Sequence, residues 1–338
     1  MRQIALSIFQ TVSMRIDNMR IISRNEIESL NHEAAYQFQK EGFAAFASGD
    51  LIQPPVAHLE LVKGSLHIKY GMIKGDSNFV VKHATGFSEN WTKGLPTGDG
   101  FLSVFCATTG LLRAIILDQG FLTDLRTALA VRLSAEFFAP KLVHTVGVIG
   151  TGNQARLSAE QQAKVTGCKK ILVWGRNKTR LEKYRKDMEA SGFNVTIAGT
   201  PELMLKTADL IITATSSRAP ILSYTKELKT RLIIAVGADE KGKNEIDSKL
   251  LSHANRLIAD DPVQCVRIGE FQHSVFDDKN ILSLGKLLKE PSPTETGLTT
   301  VDLTGLAVQD IQMVKSALEH LKSDHCCSGE ARMGSILK

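Results

Sequence analysis

Apolar residues recur at helical spacing through NHEAAYQFQKEGFAAFASG, residues 31–49, and the run stops at Gly49, so the pattern predicts an amphipathic helix closed by glycine. Just before it, MRIISRNEIESL from Met19 reads as a strand followed by a capped helix. From Val56 to Phe105 the period changes. Short apolar runs (HLELV, SLHIKYGMI, NFVVKHATGF, GFLSVFCA) are split by turn residues, as expected of a mostly antiparallel sheet. LLRAIILDQGF adds one more strand, and LTDLRTALAVRLSAEFFAP is a long helix that ends before Pro140, which cannot continue it.

The next stretch has a different texture. HTVGVIG is a continuous apolar run of the kind buried on both faces of a parallel sheet. A helix follows (QARLSAEQQAKVTG), and then strand and helix alternate: KKILVWG, KTRLEKYRKDMEASG, FNVTIAG, PELMLKTA, DLIITAT, RLIIAVG and ANRLIAD. Such alternation predicts a doubly wound parallel sheet with right-handed crossovers. TTVDLTGLAVQDIQMVKSALEHLKSD turns at Gly305 and then becomes helical. The fold class expected is α/β, a Rossmann-type doubly wound sheet joined to a second α+β domain with a mostly antiparallel sheet. The division expected is an N-terminal extension at 1–18, a substrate-binding and dimerisation domain at 19–127, a dinucleotide-binding domain at 128–300, and a C-terminal helix at 301–338 that packs back on the first domain.

Composition narrows the class of partner. The 41 basic and 36 acidic residues leave a formal charge of +5, spread without the dense Lys/Arg block of a nucleic-acid groove. That balance suits an anionic small molecule. Five cysteines, an odd count with no C-x-x-C spacing, indicate neither a disulfide framework nor a zinc site, so a reducing, cytoplasmic compartment is expected and no metal. No segment reaches the roughly 18–20 apolar residues that a membrane span requires.

The chemistry begins at Gly150-Thr151-Gly152-Asn153-Gln154-Ala155. A G-x-G-x-x-A string alone is weak, but here it follows a strand, opens a helix and heads a βαβ series. Gly150 would permit the tight turn, Gly152 would let a pyrophosphate approach the backbone, and Ala155 would allow close helix packing. The helix amides would then face an anion. Selectivity for NAD usually comes from an acid at the end of the second strand. That strand ends in Gly175-Arg176-Asn177-Lys178, without an acid, and Arg176 and Lys178 could neutralise a 2′-phosphate. NADPH is the expected cofactor, with NADH or NAD the alternative.

Six segments in order, FVVKHATGF, GLPTGDG, LTDLRTA, VIGTGNQA, AVGADEKGKNEID and VDLTGLAVQD, resemble the ornithine cyclodeaminase/mu-crystallin family, and the resemblance runs from about Met19 to the C-terminal helix. Family members handle α-amino or α-imino acids. The resemblance implies that Lys82 and Arg126 bind a substrate carboxylate, Arg126 with a planar fork suited to two oxygens. It places Thr97 near the cofactor's pyrophosphate or substrate edge, and Asp239 in a charge or proton role with Lys243 beside it. Thr215, Val236, Gly237, Asp239 and Gly305 complete the implied cofactor set. One departure stands out: where many members carry a basic residue, this chain has Gln53-Pro54-Pro55-Val56, and Lys69 is the possible replacement.

The resemblance implies a homodimer that acts on a small amino or imino acid. The activity expected first is NAD(P)H-dependent reduction of a cyclic imino acid, Δ1-pyrroline-2-carboxylate or a similar ketimine, to an L-proline-type amino acid. Conversion of L-ornithine to L-proline and ammonia with recycled NAD+ is the alternative. A mu-crystallin-like NADPH-binding protein is the third.

Overall fold

The computed structural model describes residues 19–274, 281–290 and 296–328, with side chains to 322. The extension expected at 1–18 and the tail after 328 lie outside the described residues. Two compact units emerge, one formed by the chain up to Leu122 together with the chain from Ala307, the other by Thr123–Leu306.

In the first unit, strands β1 (Arg20–Ser23), β2 (Leu51–Ile52), β3 (Ala57–Leu61), β4 (Gly64–Ile73), β5 (Asn78–Gly86), β6 (Gly98–Cys106) and β7 (Leu112–Leu117) form a seven-stranded sheet. Its order is β1-β7-β6-β5-β4-β2, with β3 also paired to β4. All pairs are antiparallel except β1 with β7. Helix α1 (Arg24–Ile27) follows β1, and α2 (His32–Ala47) starts at Asn31, whose side-chain oxygen accepts the amides of Glu33 and Ala34 at 2.9 and 3.2 Å. Those bonds satisfy two of the orphan donors of the first turn. Beyond α2, Gly49 takes a φ of +74°. The C-terminal helix, Ala307–Ser328, packs on α2, β4 and β5. Gly42 permits the close approach of the two helices, since a Cβ there would stand 2.9 Å from Gln312 Cγ.

Helix α3 (Phe121–Phe138) leads into the second unit. There, β8 (Val146–Ile149), β9 (Lys170–Trp174), β10 (Asn194–Ile197), β11 (Leu210–Thr213), β13 (Leu232–Ala235), β15 (Arg256–Ala259), β16 (Ile281–Ser283) and β17 (Thr299–Asp302) make an eight-stranded sheet. The order is β10-β9-β8-β11-β13-β17-β15-β16, and every pair is parallel. Strands β12 (Arg218–Leu222) and β14 (Asn244–Ile246) pair separately. Helices α4 (Asn153–Thr166) and α5 (Lys178–Ala190) follow β8 and β9. The Rossmann-type sheet and the mostly antiparallel second sheet are the fold class that the hydrophobic pattern indicates.

One central strand differs from the reading by pattern. Residues Thr299–Asp302 read as the approach to the C-terminal helix, yet they form β17 between β13 and β15, all four buried. Two threonines and an aspartate in four residues hide the strand, because a buried parallel strand is recognised by an apolar run. With β17 in the sheet, the second unit extends to Leu306 rather than to 300, and it begins at 123 rather than 128. Among the described residues no helix is long and apolar enough to cross a membrane.

Candidate active site

Strand β8 lies between β9 and β11, and the order of connection reverses there, so a crevice opens beyond the carboxyl ends of β8 and β11. Gly150 occupies that point. Its φ is +122°, its amide donates to Trp174 O at 2.9 Å, and a Cβ would meet Ala214 O at 2.5 Å. Only glycine gives both that conformation and that close approach. Gly152, extended at the start of α4, has no side-chain capping bond, and an added Cβ there would find its nearest neighbour, Arg180 Nη2, at 3.9 Å. The first amides of α4 therefore present partial positive charge beside open space, and the residues fit a dinucleotide diphosphate. Fully buried Ala155 lets the helix sit close to the sheet. Arg156 braces the turn, with Nη1 donating to Thr151 O and, at 3.1 Å, to Gly152 O, while Nη2 pairs with Asp187 at 2.9 Å. Asn153 Nδ2 donates to Asp124 at 2.6 Å, and Gln154 Nε2 to Ser158 Oγ at 3.0 Å.

At the end of β9, Arg176 and Lys178 are exposed. Asn177 has a structural task, since its side-chain oxygen caps α5 by accepting Arg180 N at 3.0 Å. Beyond β11 and β13, the Thr215 amide donates to Glu245 Oε1 at 2.7 Å and the Val236 amide to Thr213 O at 3.0 Å. Gly237 lies so close to Glu245 Oε2 and Thr215 O that a Cβ would overlap both.

Arg126, on α3, is buried, and its guanidinium lies against Gly305. Gly305 has a φ of +82° and is held from two sides: its amide donates to Asp260 Oδ2 at 2.6 Å, and its carbonyl accepts Gln264 Nε2 at 3.0 Å. Asp239, just beyond β13, is partly exposed and accepts Lys243 Nζ at 2.7 Å. Burial acts to lower the Lys243 pKa, but Asp239, Glu240 and Glu245 together raise it. The pair is thus a charged one.

The first unit holds Lys69 and Lys82, which face each other in the β4–β5 register. Residues directly opposite in an antiparallel pair share a face, so two buried lysines stand side by side. Lys82 Nζ is 2.8 Å from Asp310 Oδ1 on the C-terminal helix, both side chains 3% exposed. Burial pushes the nearby Asp118 up to about 6, the amides of Leu122 and Gly120 and the charge of Lys82 pull it down, and Asp310 pushes it up. Neither aspartate was legible as a site residue, because an acid paired through tertiary packing leaves no spacing in the sequence. Thr97 belongs to this unit too, in an exposed turn where its carbonyl accepts Phe87 N at 2.8 Å.

The sequence pattern of the ornithine cyclodeaminase/mu-crystallin family matches residues 17–325. The chain belongs to that family. Solved structures agree over nearly the whole length. An archaeal alanine dehydrogenase dimer with bound NAD superposes with a TM-score of 0.81 at 26% identity, covering 91% of this chain and 97% of the other. The iminosuccinate reductase of Paracoccus denitrificans in complex with NAD+ gives 0.79 at 27% identity, with 91% and 97% covered. A lysine cyclodeaminase gives 0.83 at 27% identity, with 91% and 94% covered. Within this family member, the candidate groups fall into four clusters: the glycine turn with Thr215 and Gly237, Arg126 with Gly305, Asp239 with Lys243, and Lys69 with Lys82.

Proposed function

We propose that this family member is a nicotinamide-nucleotide-dependent reductase of an imino acid, acting on Δ1-pyrroline-2-carboxylate or a similar cyclic ketimine to give an L-proline-type amino acid. The observation that carries the reading is the pair of buried lysines, Lys69 opposite Lys82, on one sheet face. Lys82 is already paired with Asp310, and a second cation on the same face gives the pair an excess of positive charge that suits an anionic ligand group such as a carboxylate. Likeness to an alanine dehydrogenase and an iminosuccinate reductase supports an amino or imino acid as substrate.

When bound, the reduced nicotinamide supplies a hydride to the carbon of the C=N bond. The chain supplies the rest. The family resemblance assigns carboxylate binding to Lys82 in the first unit, with Lys69 adding positive charge beside it, and to Arg126 in the second. Asp239, with Oδ1 taken by Lys243, balances the positive charge of the protonated imine nitrogen. Holding the acceptor in one pose is the main requirement, since a protonated imine is already a good electrophile.

The test is loss of nicotinamide absorbance when the protein is mixed with NADPH or NADH and Δ1-pyrroline-2-carboxylate. Oxidation is expected, and Arg126→Ala is expected to abolish it while leaving cofactor binding nearly intact. The Asp239–Lys243 pair and the likeness to a lysine cyclodeaminase favour a second reading, ring closure of a diamino acid. Ammonia release from ornithine with NAD+, without imine reduction, would establish it in place of the first.

Cofactor choice belongs to the same proposal. With Arg176 and Lys178 exposed and no acid at the end of β9, NADPH is favoured, and Arg176→Ala should weaken NADPH more than NADH in a fluorescence titration. Equal weakening of both would remove Arg176 from the cofactor site. A homodimer through the first unit's sheet completes the reading, supported by exposed Ile21, Leu59, Leu61 and Val62 and by the dimeric alanine dehydrogenase.

A further inference from the structure

Beneath the ends of β11 and β13 lies a carboxylate of the AVGADEKGKNEID segment that has no part in the substrate chemistry above. Glu245, on β14, is fully buried. Its Oε1 accepts the Thr215 amide at 2.7 Å, and its Oε2 accepts the Thr213 hydroxyl at 2.7 Å and the Gly237 amide at 3.1 Å. Thr213 and Thr215 leave β11, and Gly237 leaves β13. These strands pair in the sheet, so one side chain ties together the two backbones that border the crevice. The fit allows no slack, because a Cβ on Gly237 would overlap Glu245 Oε2.

The strand that carries Glu245 is itself pinned. Glu270 accepts the Glu245 amide with both oxygens, at 2.9 and 3.1 Å, and the Ile246 amide at 3.0 Å. Behind it, Asp302 at the end of β17 accepts the Phe271 amide at 3.2 Å.

We propose that Glu245 is a positioning residue of the dinucleotide crevice, holding Thr215 and Gly237 in place by accepting both of their amides. This rests on the reading of the second unit as the nicotinamide nucleotide site. A carboxylate is suited to the task because it accepts at both oxygens. A protonated acid or a carboxamide turns one of those acceptors into a donor. The Thr213 hydroxyl can rotate away from such a donor, whereas the backbone N–H groups of Thr215 and Gly237 cannot. Replacing the carboxylate, or protonating it, therefore loosens one border of the crevice.

The charged groups that face Glu245 are Glu270, from the turn after residue 268, and Lys243, from the approach to β14. Burial pushes Glu245 up to about 7, against the pull of the hydroxyl and amide donors, so it titrates close to neutrality. Burial, Glu245 and Asp302 push Glu270 well above the carboxylate range. Since the ionised form of Glu245 holds the crevice, nucleotide binding should be strongest above about pH 7 and weaken as pH falls through it.

The experiment is a fluorescence titration of the full chain with NADH, whose diphosphate does not titrate near neutrality, and in parallel with NADPH. For the wild type, the NADH Kd is expected to rise about tenfold between pH 8 and pH 6, the change that follows when binding needs a form about one-tenth populated. Glu245→Gln should bind about tenfold more weakly than wild type at pH 8, and its Kd should stay flat across the range. Thr213→Val keeps both amide bonds and should bind within about twofold of wild type at pH 8. A flat wild-type profile overturns the positioning role, as does wild-type-like binding by Glu245→Gln. The wild-type profile decides the matter even if Glu245→Gln fails to fold. A wild type that retains neither nucleotide overturns the nicotinamide reading itself and the positioning role with it, a result distinct from binding that ignores pH.

Discussion

Lys82→Met is expected to lower the stability of the folded chain by about 3–5 kcal/mol, the usual cost of removing one partner of a buried ion pair, and to abolish imine reduction. The cost arises on the other side of the pair. Asp310, 2.8 Å from Lys82 Nζ and 3% exposed, loses that ion pair while remaining buried. Asp118 also loses the pull of Lys82, which at present helps to hold it down at about 6 against burial. Its folded pKa lies above the ordinary carboxylate value, so the protonated form favours the folded state, and that contribution disappears as pH rises through about 6. In Lys82→Met the Asp118 pKa rises further. The stability deficit should therefore be larger at pH 8 than at pH 5, where Asp118 is protonated with or without Lys82. Urea unfolding at the two pH values checks this. Adding Asp310→Asn should restore most of the stability but none of the turnover. A double variant as unstable as the single one would show that the pair does not account for the loss.

Gly305→Ala is expected to reduce turnover by about 100-fold, the effect of moving a substrate-holding group by about an ångström. Gly305 has a φ of +82°, and a Cβ on it would overlap Arg126 Nη1 and stand 2.8 Å from Cζ. The backbone cannot move away, because Asp260 holds its amide and Gln264 its carbonyl. The guanidinium must shift instead. The left-handed conformation adds about 1–2 kcal/mol of instability for a residue other than glycine. Steady-state kinetics beside a cofactor titration separates the two effects. Turnover within threefold of wild type would show that Arg126 is not held in place by this contact.

Much of the second unit was legible because its strands carry the signal that pattern reading detects. Val146–Ile149, Leu210–Thr213 and Leu232–Ala235 are buried apolar runs next to turn or helix signals, and the glycine turn sits where a strand meets a helix. Thr299–Asp302 escaped because its place in the sheet rests on backbone pairing with β13 and β15, while its side chains are mostly polar. In the first unit, Lys82 and Lys69 were visible as residues thirteen apart, but their position side by side follows from the β4–β5 register.

The sequence by itself determined the order of the elements with a clear apolar pattern, the glycine turn and the family, because these depend on local conformation and on residue types at fixed spacing. Tertiary structure alone decided the partners of the charged groups. Asp310 meets Lys82 across 228 positions, Gly305 meets Asp260 across 45, and Glu245 joins Thr215 across 30. A carboxylate's task depends on what it is buried against, and burial is a property of the folded chain.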